Sequence, residues 1–214
     1  MKTLKILVLV AVGLAAAIFL SLSRTGPSVP SGENVANASQ SMNPIELKST
    51  TDAKRETAIL AGGCFWGMEE ILRNIPGVLE TAVGYTGGAT EAPNYQQICT
   101  GTTGHAEAVR IVFDPARLTY EALLGYFYRM HDPTTLNRQH NDIGTQYRSA
   151  IFFTSDEQKA VAAKVTETVG KSGRFKKPIV TQIVPATEFF NAEDYHQKYL
   201  VKNPGGYNCH ILRD

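Results

Sequence analysis

"TAILAGGCFWGMEEILRNIPG", residues 57–77, is where an apolar strand pattern turns into a helical one. The first five residues are a short apolar run, and then Phe65, Met68, Ile71 and Leu72 recur at helical spacing until "IPG" stops them. Cys64 therefore stands at a strand-to-helix junction. A thiol reacts as its thiolate, and the free amide hydrogens and positive dipole end of a helix stabilise that anion, so a cysteine placed there is expected to have a lowered pKa. Gly63 and Gly67 leave the backbone bare around it, which points to close approach by a ligand or another segment. The plainer reading of Cys64 is a small hydrophobe in the core, with Phe65 and Trp66 as core aromatics beside it.

Outward from this junction the pattern alternates between strand and helix. "VLETAVGYTGG" (78–88) and "HAEAVRIVFD" (105–114) read as strands, the second placing Glu107, Val109, Ile111 and Phe113 on one face. "TYEALLGYFYRMH" (119–131) is an amphipathic helix and "YRSAIFFT" (147–154) a strand. "SDEQKAVAAKVTETVGKS" (155–172) is a helix capped by Ser155 or Asp156, and "PIVTQIV" (178–184) is a strand. "NAEDYHQKYLVKN" (191–203) reads as a last helix before the Pro/Gly-rich tail "PGGYNCHILRD". The fold expected is α+β, two-layered, with a ferredoxin-like mixed sheet and helices, as one catalytic domain over residues 55–214.

Two segments precede that domain. Residues 1–24 place Lys2 and Lys5 before an uncharged run, residues 6–23, long enough to cross a bilayer as an anchor and also readable as a cleaved signal. Either way the positive flank stays inside, so the body is expected outside the cytoplasm: anchored facing the periplasm or cell exterior, or secreted if the segment is cut. Residues 25–54 are rich in Gly, Pro, Ser, Asn and Thr and read as a flexible linker, with a reach of about 30 Å.

Composition narrows the chemistry. The chain has 214 residues, a formal net charge of +1 and 43% hydrophobic residues, and no basic block that would suit nucleic acid. Three cysteines, Cys64, Cys99 and Cys209, are too few for a disulfide scaffold and show no CxxC pair, and the five histidines show no metal-ligand spacing. One reactive thiol with one partner fits better, with no metal and no cofactor. Cys99 reads as buried packing on a short helical turn.

Five blocks, "GCFWG" (63–67), "GYTGG" (84–88), "NYQQICTGTTGHAEAVRIVFDP" (94–115), "HDPTTLNRQHNDIGTQYRS" (131–149) and "NPGGYNCH" (203–210), follow in one order. In that order and spacing the chain resembles the peptide methionine sulfoxide reductase A family, in the form with a single tail resolving cysteine. One departure is His140, where family members usually carry Gly; it leaves the Asn141–Asp142 turn open.

The resemblance implies roles that suit the reaction. A sulfoxide oxygen leaves only if protonated or strongly hydrogen-bonded while a thiolate attacks sulfur. Cys64 matches the nucleophile and Glu107 the proton donor, its apolar strand face raising its pKa; alone, Glu107 reads as a surface glutamate on a strand edge. Tyr95 and Tyr147 match the phenols that bind the oxygen, and alone read as amphipathic core tyrosines. Asp142 matches a site carboxylate, and alone is part of a turn. Phe65 and Trp66 match the walls that receive the substrate methyl.

The implied cycle reduces the S epimer of methionine sulfoxide, in oxidised proteins or peptides and possibly free. It leaves Cys64 as a sulfenic acid and closes a Cys64–Cys209 disulfide, opened by a thioredoxin-like reductant. Gly205 and Gly206 would let the tail swing, and His210 is placed to ease thiolate formation at Cys209. Two other readings stay open: a cysteine hydrolase, which needs a histidine base, and a non-enzymatic anchored binding module whose aromatics hold an apolar ligand.

Overall fold

The computed structural model describes residues 54–214. The expected anchor and almost all of the linker lie outside the described residues. Among the described residues no helix is long and apolar enough to cross a membrane.

The opening strand, β1 (Glu56–Gly62), leads into α1 (Phe65–Leu72), as the spacing of the apolar residues predicts. There follow β2 (Val78–Thr86), the short helix α2 (Tyr95–Cys99), β3 (Ala106–Phe113) and α3 (Tyr120–Met130). A two-residue turn at His140–Asn141 joins β4 (Arg138–Gln139) to β5 (Asp142–Ile143), and a 3-10 turn, Thr145–Tyr147, precedes β6 (Ser149–Phe153). The chain ends through α4 (Asp156–Lys171), β7 (Gln182–Pro185), β8 (Phe189–Asn191) and the single turn α5 (Tyr199–Lys202).

Six strands form one mixed sheet in the order β7-β6-β1-β3-β2-β8, antiparallel throughout except for the β6–β7 pair. One face carries Leu60, Val83, Tyr85, Val109, Ile111 and Ile151 against Met68 and Leu72 of α1, Leu123 and Phe127 of α3, and Ala162 of α4. Burying each of these large side chains contributes about 1.5–3 kcal/mol. The opposite face is mostly alanine, Ala61, Ala106, Ala108 and Ala150, and small side chains let the neighbourhood of Val184, Ala186 and Phe189 pack close against it. The helices therefore lie on one side of the sheet, and the fold is α+β.

The helix starts follow local chemistry. Thr119 accepts the Ala122 amide hydrogen at the start of α3, and Ser155, not Asp156, accepts that of Gln158 at the start of α4. Gln158 then reaches β1, donating to the Thr57 carbonyl at 2.8 Å.

The helix read over 191–203 shrinks to α5. Gln197 leaves the helical path because its amide substitutes for a strand partner: it accepts from the Val83 N–H at 2.9 Å and donates to the Val83 carbonyl at 2.9 Å. Lys198 follows in a left-handed conformation, φ +51°, with its N–H donating to buried Glu69 at 2.7 Å. The strand read over 178–184 begins only at Gln182.

Candidate active site

Cys64 is the N-cap residue of α1, reached through Gly63 at φ +110°, and it is 6% exposed. The two glycines around it make room for the tail. A Cβ on Gly63 would lie 2.7 Å from Gln139 Cγ and 2.9 Å from His210 Cε1, and one on Gly67 would lie 2.4 Å from Asn208 Oδ1. So the segments that approach the bare backbone are the chain's own residues 208–210 and, at Gly63, Gln139 of β4. Arg213 pins the tail further on, its N–H donating to the Arg129 carbonyl at 3.1 Å and its guanidinium to the His131 carbonyl at 2.8 Å. The tail expected to swing is already docked, with Cys209 against Cys64 and neither in a disulfide.

Glu107 comes to the same place from the middle of the sheet. Its alternation in β3 turns it to the helix side with Val109, Ile111 and Phe113, and it is 2% exposed. Its Oε2 accepts the Phe65 amide hydrogen at 3.1 Å, one of the free donors of the α1 start. Burial outweighs that hydrogen bond and pushes the carboxyl up to about 8, so at neutral pH it holds a proton.

The expected thiolate at Cys64 is not what this environment favours. Its hydrogen bond with Cys209 pushes the Cys64 thiol up, burial and Glu107 act the same way, and the Trp66 amide hydrogen bond opposes them without prevailing. The helix start therefore supplies a donor, while desolvation and neighbours decide the charge. Cys209 moves the other way, held down first by its hydrogen bond with Cys64 and then by His210, whose Nδ1 lies 3.4 Å from its sulfur.

The remaining residues of the expected set take up places around the pair. Asp142 in β5 accepts from the Tyr207 hydroxyl, both oxygens at 3.1 Å, and burial followed by Cys209 pushes it up to about 6. Tyr95 opens α2 and Tyr147 closes the 3-10 turn, both half-buried. Burial and then neighbouring groups, Glu107 among them, push both phenols up, so each stays a proton donor. Phe65 is 1% exposed and lies beneath the site between Tyr85 and His196. Trp66 is half-buried, stacked on Tyr199 at 3.8 Å, with its indole N–H donating to His196 Nδ1 at 2.9 Å.

Cys99 is exposed, contrary to the buried place read for it. Ile98 takes the inward position of α2, and the next residue is turned about 100° away. His140 has φ +50°, which explains why a residue free in the left-handed region suits that turn.

The chain after β8 supplies residues that sequence reasoning left aside. Glu193 accepts from the Tyr85 hydroxyl at 2.9 Å and from the Tyr95 N–H at 2.8 Å, and His196 orients Trp66. A search for metal spacing passes over such a histidine, since its partners are aromatic. Tyr207, which bonds Asp142, lies inside the "NPGGYNCH" block two residues before Cys209.

No imidazole is among the groups that bond Cys64; a protonated carboxyl and a second thiol face it. Fold and site together define an oxidoreductase acting on sulfur.

Comparison with known proteins narrows that class. The family model described as peptide methionine sulfoxide reductase matches residues 56–214. The chain is 56% identical over 158 residues to the peptide methionine sulfoxide reductase MsrA of Methanosarcina acetivorans, covering 74% of this chain and 83% of that one. The crystal structure of reduced Mxr1 from Saccharomyces cerevisiae is similar with a TM-score of 0.72 at 39% identity, over 76% of this chain and 94% of that one. The same yeast protein in complex with Trx2 matches with a TM-score of 0.53 at 27% identity, over 76% and 92% of the two chains. The chain belongs to the peptide methionine sulfoxide reductase family, and its activity is the reduction of methionine sulfoxide.

Proposed function

We propose that the protein reduces the S epimer of methionine sulfoxide in exported proteins, through a Cys64 sulfenic acid and a Cys64–Cys209 disulfide. The observation that carries this reading is the docking of Cys209 on buried Cys64 with buried Glu107 beside them.

Cys64 sulfur attacks the sulfoxide sulfur while Glu107 delivers a proton to the oxygen and the Tyr95 and Tyr147 hydroxyls donate to it. Glu107 recovers a proton from the Cys64 thiol, the oxygen passes from the substrate sulfur to Cys64 as S–OH, and the transient sulfur–sulfur bond breaks as methionine leaves. One thiol and one sulfoxide thus become one sulfenic acid and one thioether. Phe65 and Trp66 supply apolar contact for the methyl group, and Asp142, bonded to Tyr207, holds the rim of the site. Cys209 then displaces the hydroxyl as water, and a thioredoxin-like protein reopens the disulfide, with no further cofactor. The yeast relative's complex with Trx2 supports that partner.

Residues 6–23 serve as an anchor that keeps the domain outside the cytoplasm, within reach of oxidised surface proteins. The order β6-β1-β3-β2, with α1 and α3 as its connections, is read as a ferredoxin-like core to which β7 and β8 are added. The test is to incubate the full chain with dithiothreitol and a peptide carrying a separated S or R sulfoxide, and follow oxygen loss by mass spectrometry. Loss from the S form alone is expected, and turnover of the R form would overturn the assigned stereochemistry. Protease protection in intact cells checks the export.

A further inference from the structure

The cycle proposed above leaves one buried ring unused. His210 is 2% exposed, its Nδ1 lies 3.4 Å from the Cys209 sulfur, and its buried Nε2 has no hydrogen-bond partner. The ring is held there deliberately by its surroundings: Gly63 leaves room for Cε1, the His210 N–H donates to Asn208 at 3.0 Å, and Arg213 fastens the chain beyond it. The titratable groups around it are Cys209, Asp142 from β5 and His131 at the end of α3, with Cys64 next to Gly63.

We propose that His210 is the catalytic base of the resolving step, taking the Cys209 proton on Nδ1 as that sulfur attacks Cys64. This rests on the Cys64–Cys209 disulfide of the preceding section. The balance is simple. The Cys209 S–H bond breaks and its proton moves to Nδ1, the sulfur pair forms the S–S bond, and the Cys64 S–O bond breaks. The departing hydroxyl takes that proton back from the imidazolium and leaves as water, so His210 ends the step as it began. Sulfenic acid and thiol become disulfide and water, with Cys209 oxidised and Cys64 reduced from its sulfenic state.

Why a histidine is needed follows from what the first half-reaction removes. In the reduced protein the leading influence that holds Cys209 down is its hydrogen bond with the Cys64 thiol. Once Cys64 is a sulfenic acid that thiol is gone, at the moment when Cys209 must attack. Asp142 also hydrogen-bonds Cys209 but accepts from Tyr207 through both oxygens, and Glu107 sits on the Phe65 amide. His210 is the imidazole in contact with the sulfur, with no hydrogen bond holding its Nε2.

The test uses the full reduced chain, one equivalent of S-sulfoxide peptide and no reductant. Methionine is measured by mass spectrometry in quenched samples, and disulfide by loss of alkylatable thiol. For His210→Gln the methionine burst is expected within twofold of wild type. Its disulfide step should slow on the order of 100-fold and rise with pH through the ordinary thiol range, where the wild type is flat. Imidazole added to His210→Ala should restore that step without changing the burst. A wild-type disulfide rate in both variants, or no rescue by imidazole, overturns the proposal. Should both variants lose the burst through misfolding, the wild-type profile decides: a disulfide rate that climbs like an unassisted thiol also overturns it. A wild-type protein that makes methionine but never joins Cys64 to Cys209 refutes the proposed cycle instead.

Discussion

Glu107 and Phe65 meet through one 3.1 Å hydrogen bond, and the chemistry of the site turns on whether that carboxyl keeps its proton. Burial holds it to about 8, so activity should fall as pH rises past that value, and Glu107→Gln should lose on the order of 100-fold or more in methionine formation at every pH. The same group links stability to pH. Below the ordinary carboxylate range of about 4.3, folded and unfolded chains both carry the proton. Between there and about 8 the unfolded chain loses it and the folded chain keeps it, so this group's contribution to stability falls as pH rises and is exhausted above about 8. Denaturant melts across that window should show a flatter slope for Glu107→Gln. His140 gives a second prediction at this scale: at φ +50° a glycine is unstrained, so His140→Gly should raise unfolding free energy by about 0.5 kcal/mol in urea melts, with turnover unchanged.

At the scale of elements, α1 serves two neighbours, its apolar face packing on the sheet and its glycine face receiving the tail. Gly67→Ala separates the two functions. Alanine favours the helix by about 1 kcal/mol, yet its Cβ would stand 2.4 Å from Asn208 Oδ1, so the tail must shift while the domain does not. The melting temperature should hold or rise and the methionine burst should persist, while the disulfide step slows; an unchanged disulfide rate would mean the docked tail is not the reacting arrangement. The segment after β8 behaves differently. Gln197→Ala leaves the Val83 N–H without its partner, while the Val83 carbonyl keeps the Ala192 N–H, and should destabilise by about 1–3 kcal/mol, read from thermal melts. Most elements were legible beforehand: the apolar spacing of Phe65, Met68, Ile71 and Leu72 located α1, and alternation located β3 with Glu107 on its inner face. The region 191–203 was not, because a glutamine that substitutes for a strand has no periodic signature.

For the molecule as a whole, the six-stranded sheet and its helices lie within residues 54–214, so that segment alone should fold and form methionine at the rate of the full chain. A fall of more than about threefold would assign the preceding residues a part in the site. What the local pattern of residues determined is what depends on near neighbours: the strand-to-helix junction at Cys64, the inward face of β3, the caps of α3 and α4, and the ordered blocks that mark the family. What only the tertiary structure decided is what depends on distant ones. Cys209 meets Cys64 across 144 intervening residues, Cys99 turns outward because Ile98 turns inward, and Cys64 keeps its proton although a helix begins beside it. A side chain's charge and exposure are set by the dielectric and the donors packed around it, and at this site those come from β3, β5 and the tail, brought together by the sheet rather than by sequence proximity.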